Sequence, residues 1–192
     1  MRIRPILFNG DMVRAILDGR KTCTRRVVKT RRKDACGFYV TKRTDGSFTG
    51  IYEYDEDERM FENQLIPPYK PGDILYVLET WHRYTKRVGK GEGCHLEEHY
   101  GYKASIANSE DAEEPWKPSI HMPKEAARIW LQVTDVWVER LQDIAPKDAK
   151  NEGVGNLFYE DIGYSGKDYG WDANPWVWVI EFERCEKPEE SE

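Results

Sequence analysis

Lys21 and Thr24 are the residues of this chain whose types and spacing most directly suggest chemistry. They lie three positions apart in the segment Gly19–Arg26, directly after a predicted helix, so both side chains could project toward one pocket. A lysine crowded by other cations in a partly dry site can lose its proton and act as a base. A threonine hydroxyl beside such an amine is then a candidate nucleophile. The alternative left open by the spacing is that Lys21 binds phosphate and Thr24 caps backbone groups.

Glu152 is a candidate general acid or base. It ends a short helix predicted over residues 146–152, with proline in the first turn and Gly153 after the last residue. A carboxylate at a helix C-terminus faces the negative end of the helix dipole, which disfavours its charged form. Such a group can act as a general acid or base, whereas an ordinary exposed glutamate is the alternative.

A further set of residues is predicted to position a ligand. These residues lie in a basic loop, at a tryptophan predicted to be buried, and in a segment held between Pro118 and Pro123. His121 could bind a ligand or simply satisfy a loop carbonyl. The predicted ligand-binding residues are Gly19, Arg20, Arg26, Trp81, Ser119 and His121.

The distribution of charge predicts an anionic ligand. Residues 1–43 contain thirteen Lys or Arg and three acids, a net charge of +10, while the remainder sums to −16 within the total of −6. A basic stripe on an acidic body is typical of a phosphate-binding face. Because the whole chain is acidic, a small nucleoside or single-stranded RNA is expected in preference to tight binding of duplex nucleic acid.

The cysteine pattern and the hydropathy exclude several other classes. Cys23, Cys36, Cys94 and Cys185 have no CxxC spacing, and free thiols are expected. Cys94 with His95 and His99 offers at most three metal ligands, so no metal site and no cofactor are predicted. The sequence has no apolar run long enough for a membrane span and no signal-like N-terminus, so no membrane partner and a cytoplasmic location are expected. It carries no indication of the oligomeric state.

The periodicity of apolar residues predicts a β-rich α+β domain. A strand over residues 4–8 precedes a helix capped by Asn9 or Asp11, and Gly19 follows the helix at a position that favours a left-handed backbone. Asp45-Gly46 predicts a hairpin turn. Further strands are expected over residues 74–79, around 100–104, over 127–141 with a bulge near Asp135, and over 176–183.

Together these elements predict one small β-barrel with short helices. The domain is expected to span residues 1–185, with insertions at about 29–68 and 84–114. The acidic residues 186–192 are expected to form a flexible tail.

Four motifs in order make the chain similar to a known superfamily. Gly19, Lys21 and Arg26 match the G-x-K-x-x-x-x-R signature of the ASCH superfamily, which resembles PUA domains. Pro71-Gly72-Asp73 leading into Glu79-Thr80-Trp81 matches its setting. The later runs 116–123, 138–144 and 174–179 resemble its phage and prophage branch.

The resemblance implies a PUA-like barrel and RNA-related binding. Small bacterial members that are similar at the octet 19–26 hydrolyse N4-acetylcytidine to cytidine and acetate. By motif match, their catalytic residues correspond to Lys21, Thr24 and Glu152, and Arg26 would bind the ligand or steady the site. The expected function is therefore an amidohydrolase of acylated pyrimidine nucleosides. The alternative is a non-catalytic RNA- or nucleotide-binding module.

Overall fold

The fold is described from a computed structural model. The structure describes residues 1–90, 93–106, 115–144, 152 and 171–189. The short helix predicted over residues 146–152 lies outside the described residues except at Glu152.

The described residues form ten β-strands and one α-helix. In chain order these are β1 (Ile3–Leu7), α1 (Gly10–Leu17), β2 (Cys23–Val27), β3 (Gly37–Lys42), β4 (Phe48–Tyr54), β5 (Met60–Gln64), β6 (Ile74–Leu78), β7 (Trp81–Val88), β8 (His95–Tyr102), β9 (Trp130–Arg140) and β10 (Trp176–Cys185). Short 3-10 helices lie at Lys103–Ser105, Ser119–His121, Lys124–Ala126 and Leu141–Asp143. The predicted β-rich α+β class is confirmed.

A five-stranded sheet in the order β1-β6-β9-β10-β2 is the centre of the fold. Only β1 and β6 are parallel, and the long antiparallel pair β9–β10 forms the middle of the sheet. The other strands form a three-stranded sheet, β3-β4-β5, and a two-stranded hairpin, β7-β8. Among the described strands none of these sheets closes on itself, so the predicted closed barrel is not what they form.

The alternation of β10 explains how the central sheet is buried on both faces. Trp178 and Ile180 pack into the main hydrophobic cluster, whereas Val177 and Val179 pack into a second one with Cys23. Successive side chains of a strand point to opposite faces, so the sheet separates the two clusters. The register of β9 and β10 shifts at Glu181/Phe182, opposite Asp135 and Val133, which confirms the bulge predicted near Asp135.

Two segments predicted as loops are strands. The predicted insertion 29–68 contains the strand Met60–Gln64, which pairs with β4. In and beside the predicted insertion 84–114 one strand was expected, around 100–104, yet β7 and β8 pair over eight positions. Strands β5 and β7 are mostly exposed and polar, and cross-strand partners stabilise such strands although their hydrophobicity is low.

Helix α1 begins and ends as the sequence predicts. The Asn9 side chain accepts a hydrogen bond from the Met12 backbone N–H at 2.9 Å, and Val13, Ala15 and Ile16 face the core. Replacing Asn9 with alanine is expected to lower the free energy of unfolding by about 1 kcal/mol, because the first helical turn loses an acceptor. Urea unfolding measures the loss. Asn9→Asp is the control and should keep the stability, and an equal loss in both variants would contradict the capping role.

Candidate functional site

The end of helix α1 sets the path of the segment that follows it. Gly19 has a φ of +72°, as expected for a glycine just after a helix. The backbone N–H groups of Arg20 and Lys21 both donate to the Ala15 carbonyl, at 2.8 and 3.0 Å. These bonds fix Lys21 at the point where the chain turns toward β2.

Lys21 and Glu152 form a buried ion pair. Their backbones meet in an isolated antiparallel bridge, and Lys21 Nζ lies 2.9 Å from Glu152 Oε2. The Lys21 side chain is 0% exposed and that of Glu152 is 4% exposed. The ammonium also donates to the Cys23 carbonyl at 2.8 Å and the Glu152 carbonyl at 2.9 Å. These three acceptors use all three ammonium hydrogens. Two residues predicted to act together are therefore in direct contact although 131 positions separate them.

Arg25 connects this pair to a second carboxylate. Its Nη1 donates to Glu152 Oε1 at 3.0 Å, while Nε and Nη2 donate to Glu139 Oε1 at 2.9 and 2.7 Å. The other oxygen of Glu139 accepts from Trp137 Nε1 at 3.0 Å. Lys21, Arg25, Glu139 and Glu152 thus form a network of two cations and two anions, which we call the charged network. Burial alone lowers the pKa of Arg25, but Glu139 and then Glu152 outweigh burial and hold this pKa above its ordinary value.

Arg25 and Glu139 were missed by the sequence analysis as site residues. The signal that could have revealed Arg25 is that it shares one face of β2 with Cys23 and Val27, each two positions away. A charge on a buried face of a strand needs a partner of opposite sign. Glu139 lies on the same face of the sheet in β9, since Val177 of β10 pairs with Glu139 on one side and with Val27 on the other.

Thr24 lies on the opposite face of β2 from Arg25. It pairs in register with Ile180, is 1% exposed, and therefore faces the main hydrophobic cluster. In the described part of the chain, the hydrogen bonds of Lys21 and Glu152 do not include the Thr24 hydroxyl. The structure thus brings two of the three predicted catalytic residues into contact and places the third one strand position from their partner Arg25.

The Phe8 ring lies near both Lys21 and Arg26. Its ring centroid lies 5.6 Å from Lys21 Nζ and 5.7 Å from Arg26 Cζ. Arg26 shares the face of Thr24 by alternation, and its Nη2 donates to the Leu7 carbonyl at 2.9 Å. The lysine ammonium and the Arg26 guanidinium consequently both lie near one aromatic ring.

The other predicted ligand-binding residues are more dispersed. Arg20 is exposed and pairs with Asp18 at 2.9 Å. Trp81 is buried in a separate cluster with Met122 and Trp130, while the 3-10 helix Ser119–His121 leaves His121 exposed. No hydrogen bond, ion pair or ring contact between described residues joins Trp81, Ser119 or His121 to Lys21 or Glu152.

Several cations of the basic N-terminal segment are engaged in ion pairs. Arg14 pairs with Asp11, and Arg32 pairs with Asp34 at 2.8 Å. Lys21 and Arg25 are buried in the charged network. The net charge of +10 counted along the sequence therefore overstates the positive charge available to an anionic polymer.

Cys23 is a buried thiol beside the charged network. Burial, and then the Glu152 carboxylate, raise its pKa to about 12, although Arg25 and Lys21 oppose the rise. At pH 8 the thiolate is then about one molecule in ten thousand. We expect a maleimide to label the exposed Cys36 and Cys94 within minutes in native protein and to leave Cys23 unlabelled, as peptide mass spectrometry would show. Labelling of Cys23 at the rate of Cys36 would contradict the enclosed network.

Comparisons with family models, with curated proteins and with solved structures gave no match for this chain. Within the described ranges no group of three or more His, Cys, Asp or Glu side chains is arranged to hold a metal ion. No helix in the described part of the chain has both the length and the apolar character needed to cross a membrane.

Proposed function

We propose that this chain is an amidohydrolase that removes an acyl group from the exocyclic amine of a pyrimidine nucleoside, with N4-acetylcytidine as the reference substrate. The proposal carries forward the resemblance of the octet 19–26 to the ASCH superfamily. The observation that supports it most is the buried contact between Lys21 Nζ and Glu152 Oε2 at 2.9 Å. Buried ionisable groups with a specific partner of opposite charge are common at catalytic sites.

The ion pair holds one transferable proton between two groups. When that proton moves from Lys21 to Glu152, the lysine becomes a neutral amine and the glutamate a neutral acid. Lys21 can then accept the hydroxyl proton of Thr24 as the oxygen attacks the acyl carbonyl. Glu152 delivers its proton to the departing N4 amine, and cytidine leaves. Water next hydrolyses the acyl-threonine ester, releases acetate and restores the starting protonation.

A second route uses the same acid and base without an acyl-enzyme. Lys21 accepts a proton from a water molecule that attacks the carbonyl directly, and Glu152 again protonates the amine. The position of Thr24 on the opposite face of β2 from Arg25 makes this route a separate outcome to be tested. In both routes Phe8 lies beside the ammonium and Arg26 lies near the same ring, where the two side chains can contact the nucleoside.

The proposal is tested by incubating pure protein with N4-acetylcytidine and measuring acetate and cytidine. Equal amounts of the two products are expected. Lys33→Ala is the control for any substitution of Lys21, because Lys33 is an exposed lysine of the same basic segment and should keep full activity. Absence of cytidine above the protein-free rate, at protein concentrations near that of the substrate, would overturn the proposed function.

Thr24→Val separates the two routes without removing a charge. The replacement keeps the shape of the side chain, and its effect on folding is checked by circular dichroism. A loss of about a thousandfold in kcat is expected if Thr24 is the nucleophile. Retained activity in Thr24→Val would assign the attack to water.

A further inference from the structure

Three rings of the hairpin β7–β8 and the nearby Trp116 form a row of aromatic rings outside the charged network. The ring of His82 lies 4.6 Å from that of Trp116, tilted at 55°, and 5.4 Å from that of Tyr84. Tyr84 lies in turn 5.7 Å from His99, and both Tyr84 contacts are nearly parallel, at 26° and 27°. The row is therefore held together by ring contacts of its own members.

Gly101 is what allows His82 to lie against β8. The two residues are paired in register, and a Cβ atom at position 101 would come within 2.0 Å of His82 Nε2. Any larger residue would displace the imidazole. The ring is thus held flat on the backbone of the neighbouring strand.

The row contains hydrogen-bonding capacity that the described residues do not use. His82 is 8% exposed, and its buried Nδ1 has no hydrogen-bond partner among the described residues. The buried His99 Nε2 also lacks one, since Glu97 Oε2 lies 3.6 Å away, beyond hydrogen-bond distance. Buried polar atoms without partners are uncommon in folded proteins.

The row borders an open cavity of suitable size. A cavity of about 410 Å³ is lined by His82, Tyr84, Tyr100 and Tyr102, and it continues to Ser105 and Ile106. Small-molecule sites commonly have volumes of roughly 300 to 1,000 Å³ with aromatic walls and a few polar groups. Tyr84 is 36% exposed and Ile106 is 39% exposed, so the cavity can be entered from solvent.

A second, more polar cavity adjoins the first. It has a volume of about 630 Å³, shares Ser105 and Ile106 with the aromatic cavity, and contains Thr80, Lys103 and Arg14, the last paired with Asp11 of the same wall at 2.6 Å. Its buried carboxylate, Glu79, is neutralised by Arg128 at 2.8 Å. Hydroxyl and cationic groups at one end and stacked rings at the other match the two ends of a nucleotide, whose base stacks and whose sugar and phosphate accept and donate hydrogen bonds.

We propose that these joined cavities bind a nucleotide, with its base against the His82 and Tyr84 rings and its sugar-phosphate toward Ser105 and Lys103. Neither cavity includes Lys21, Thr24 or Glu152 among its lining residues. The site is therefore distinct from the charged network, and it does not depend on the proposed hydrolysis. A purely apolar molecule would leave the polar end of the cavity unused.

The test is titration of the full chain with cytidine 5′-monophosphate and adenosine 5′-monophosphate, followed by calorimetry and by backbone amide shifts. Shifts are expected at residues 82–84 and 101–106. Tyr84→Ala should weaken binding about tenfold, since one stacking face is lost. Tyr39→Ala is the matched control: Tyr39 is an equally exposed tyrosine, on β3, that stacks on Tyr54, and its removal should leave binding unchanged.

A second variant guards against misfolding. Ser105 is exposed and lines both cavities, so Ser105→Trp places a large ring where the two cavities meet. This variant should abolish binding while the circular dichroism spectrum stays unchanged. Three results would each overturn the proposal: no binding at ligand concentrations up to about 10 mM, equal affinity in wild type and Tyr84→Ala, or complete competition by inorganic phosphate. Acetate release is measured on the same samples: its absence together with nucleotide binding would refute only the amidohydrolase, and the reverse pattern would refute only this site.

Discussion

Replacing Arg25 with methionine is expected to lower the free energy of unfolding by about 3–5 kcal/mol. Methionine has a similar volume, so the loss comes from the charge and not from a cavity. In the variant, Glu139 and Glu152 are still shielded from water, and Lys21 is the one cation of the charged network left to balance them. An uncompensated charge at such a site is strongly unfavourable. Chemical denaturation with urea measures the change.

Arg26→Met is the matched control for that experiment. Arg26 is the next residue of β2, is only partly buried, and among the described residues its side chain donates one hydrogen bond, to the Leu7 carbonyl. Its loss should cost no more than about 1.5 kcal/mol. Equal losses in the two arginine variants would show that Arg25 is not held in a network that excludes water.

The network makes a further stability prediction, which concerns the carboxylates. Adding Glu139→Gln to Arg25→Met removes the unbalanced negative charge, keeps the volume, and leaves Lys21 paired with Glu152. Much of the lost stability should return, because removing both partners of a buried ion pair is far less costly than removing one. Further destabilisation by the glutamine replacement would contradict the charge argument.

The parts of the fold that could be predicted are those in which local pattern and burial agree. Helix α1, its Asn9 cap and the left-handed Gly19 follow from residue types within one turn of each other. Strand β10 follows from the alternation of its apolar residues. By contrast, β5 and β7 were missed because their residues are mostly exposed, and they are stabilised by cross-strand partners that the sequence alone does not pair.

The site shows the same division between local and long-range information. The position of Lys21 after the helix follows from the sequence, and its match with Glu152 came from the resemblance alone. The contact itself depends on a bridge between residues 131 positions apart, which no local pattern specifies. Sequence reasoning assigned Arg25 no ion-pair partner. Its role as the link between Glu139 and Glu152 becomes visible only when β2, β9 and residue 152 are brought together.

The second prediction with a large effect concerns the catalytic pair. Lys21→Met and Glu152→Gln are each expected to reduce kcat/KM for N4-acetylcytidine by about a thousandfold or more. The double variant should be no less active than either single variant. Groups that exchange one proton act as a unit, so the loss of either partner already removes the function of both.

Stability must be separated from chemistry in this cycle, because both residues are buried. The folded fraction of each variant is determined by near-ultraviolet circular dichroism at the assay temperature, and rates are expressed per folded molecule. Lys33→Met is the control, since it removes an exposed lysine with the same change in charge. Additive losses, in which the double variant falls by the product of the single effects, would mean that Lys21 and Glu152 act in separate steps. In that case the 2.9 Å contact would be an ion pair of the resting fold and not the proton path of the reaction.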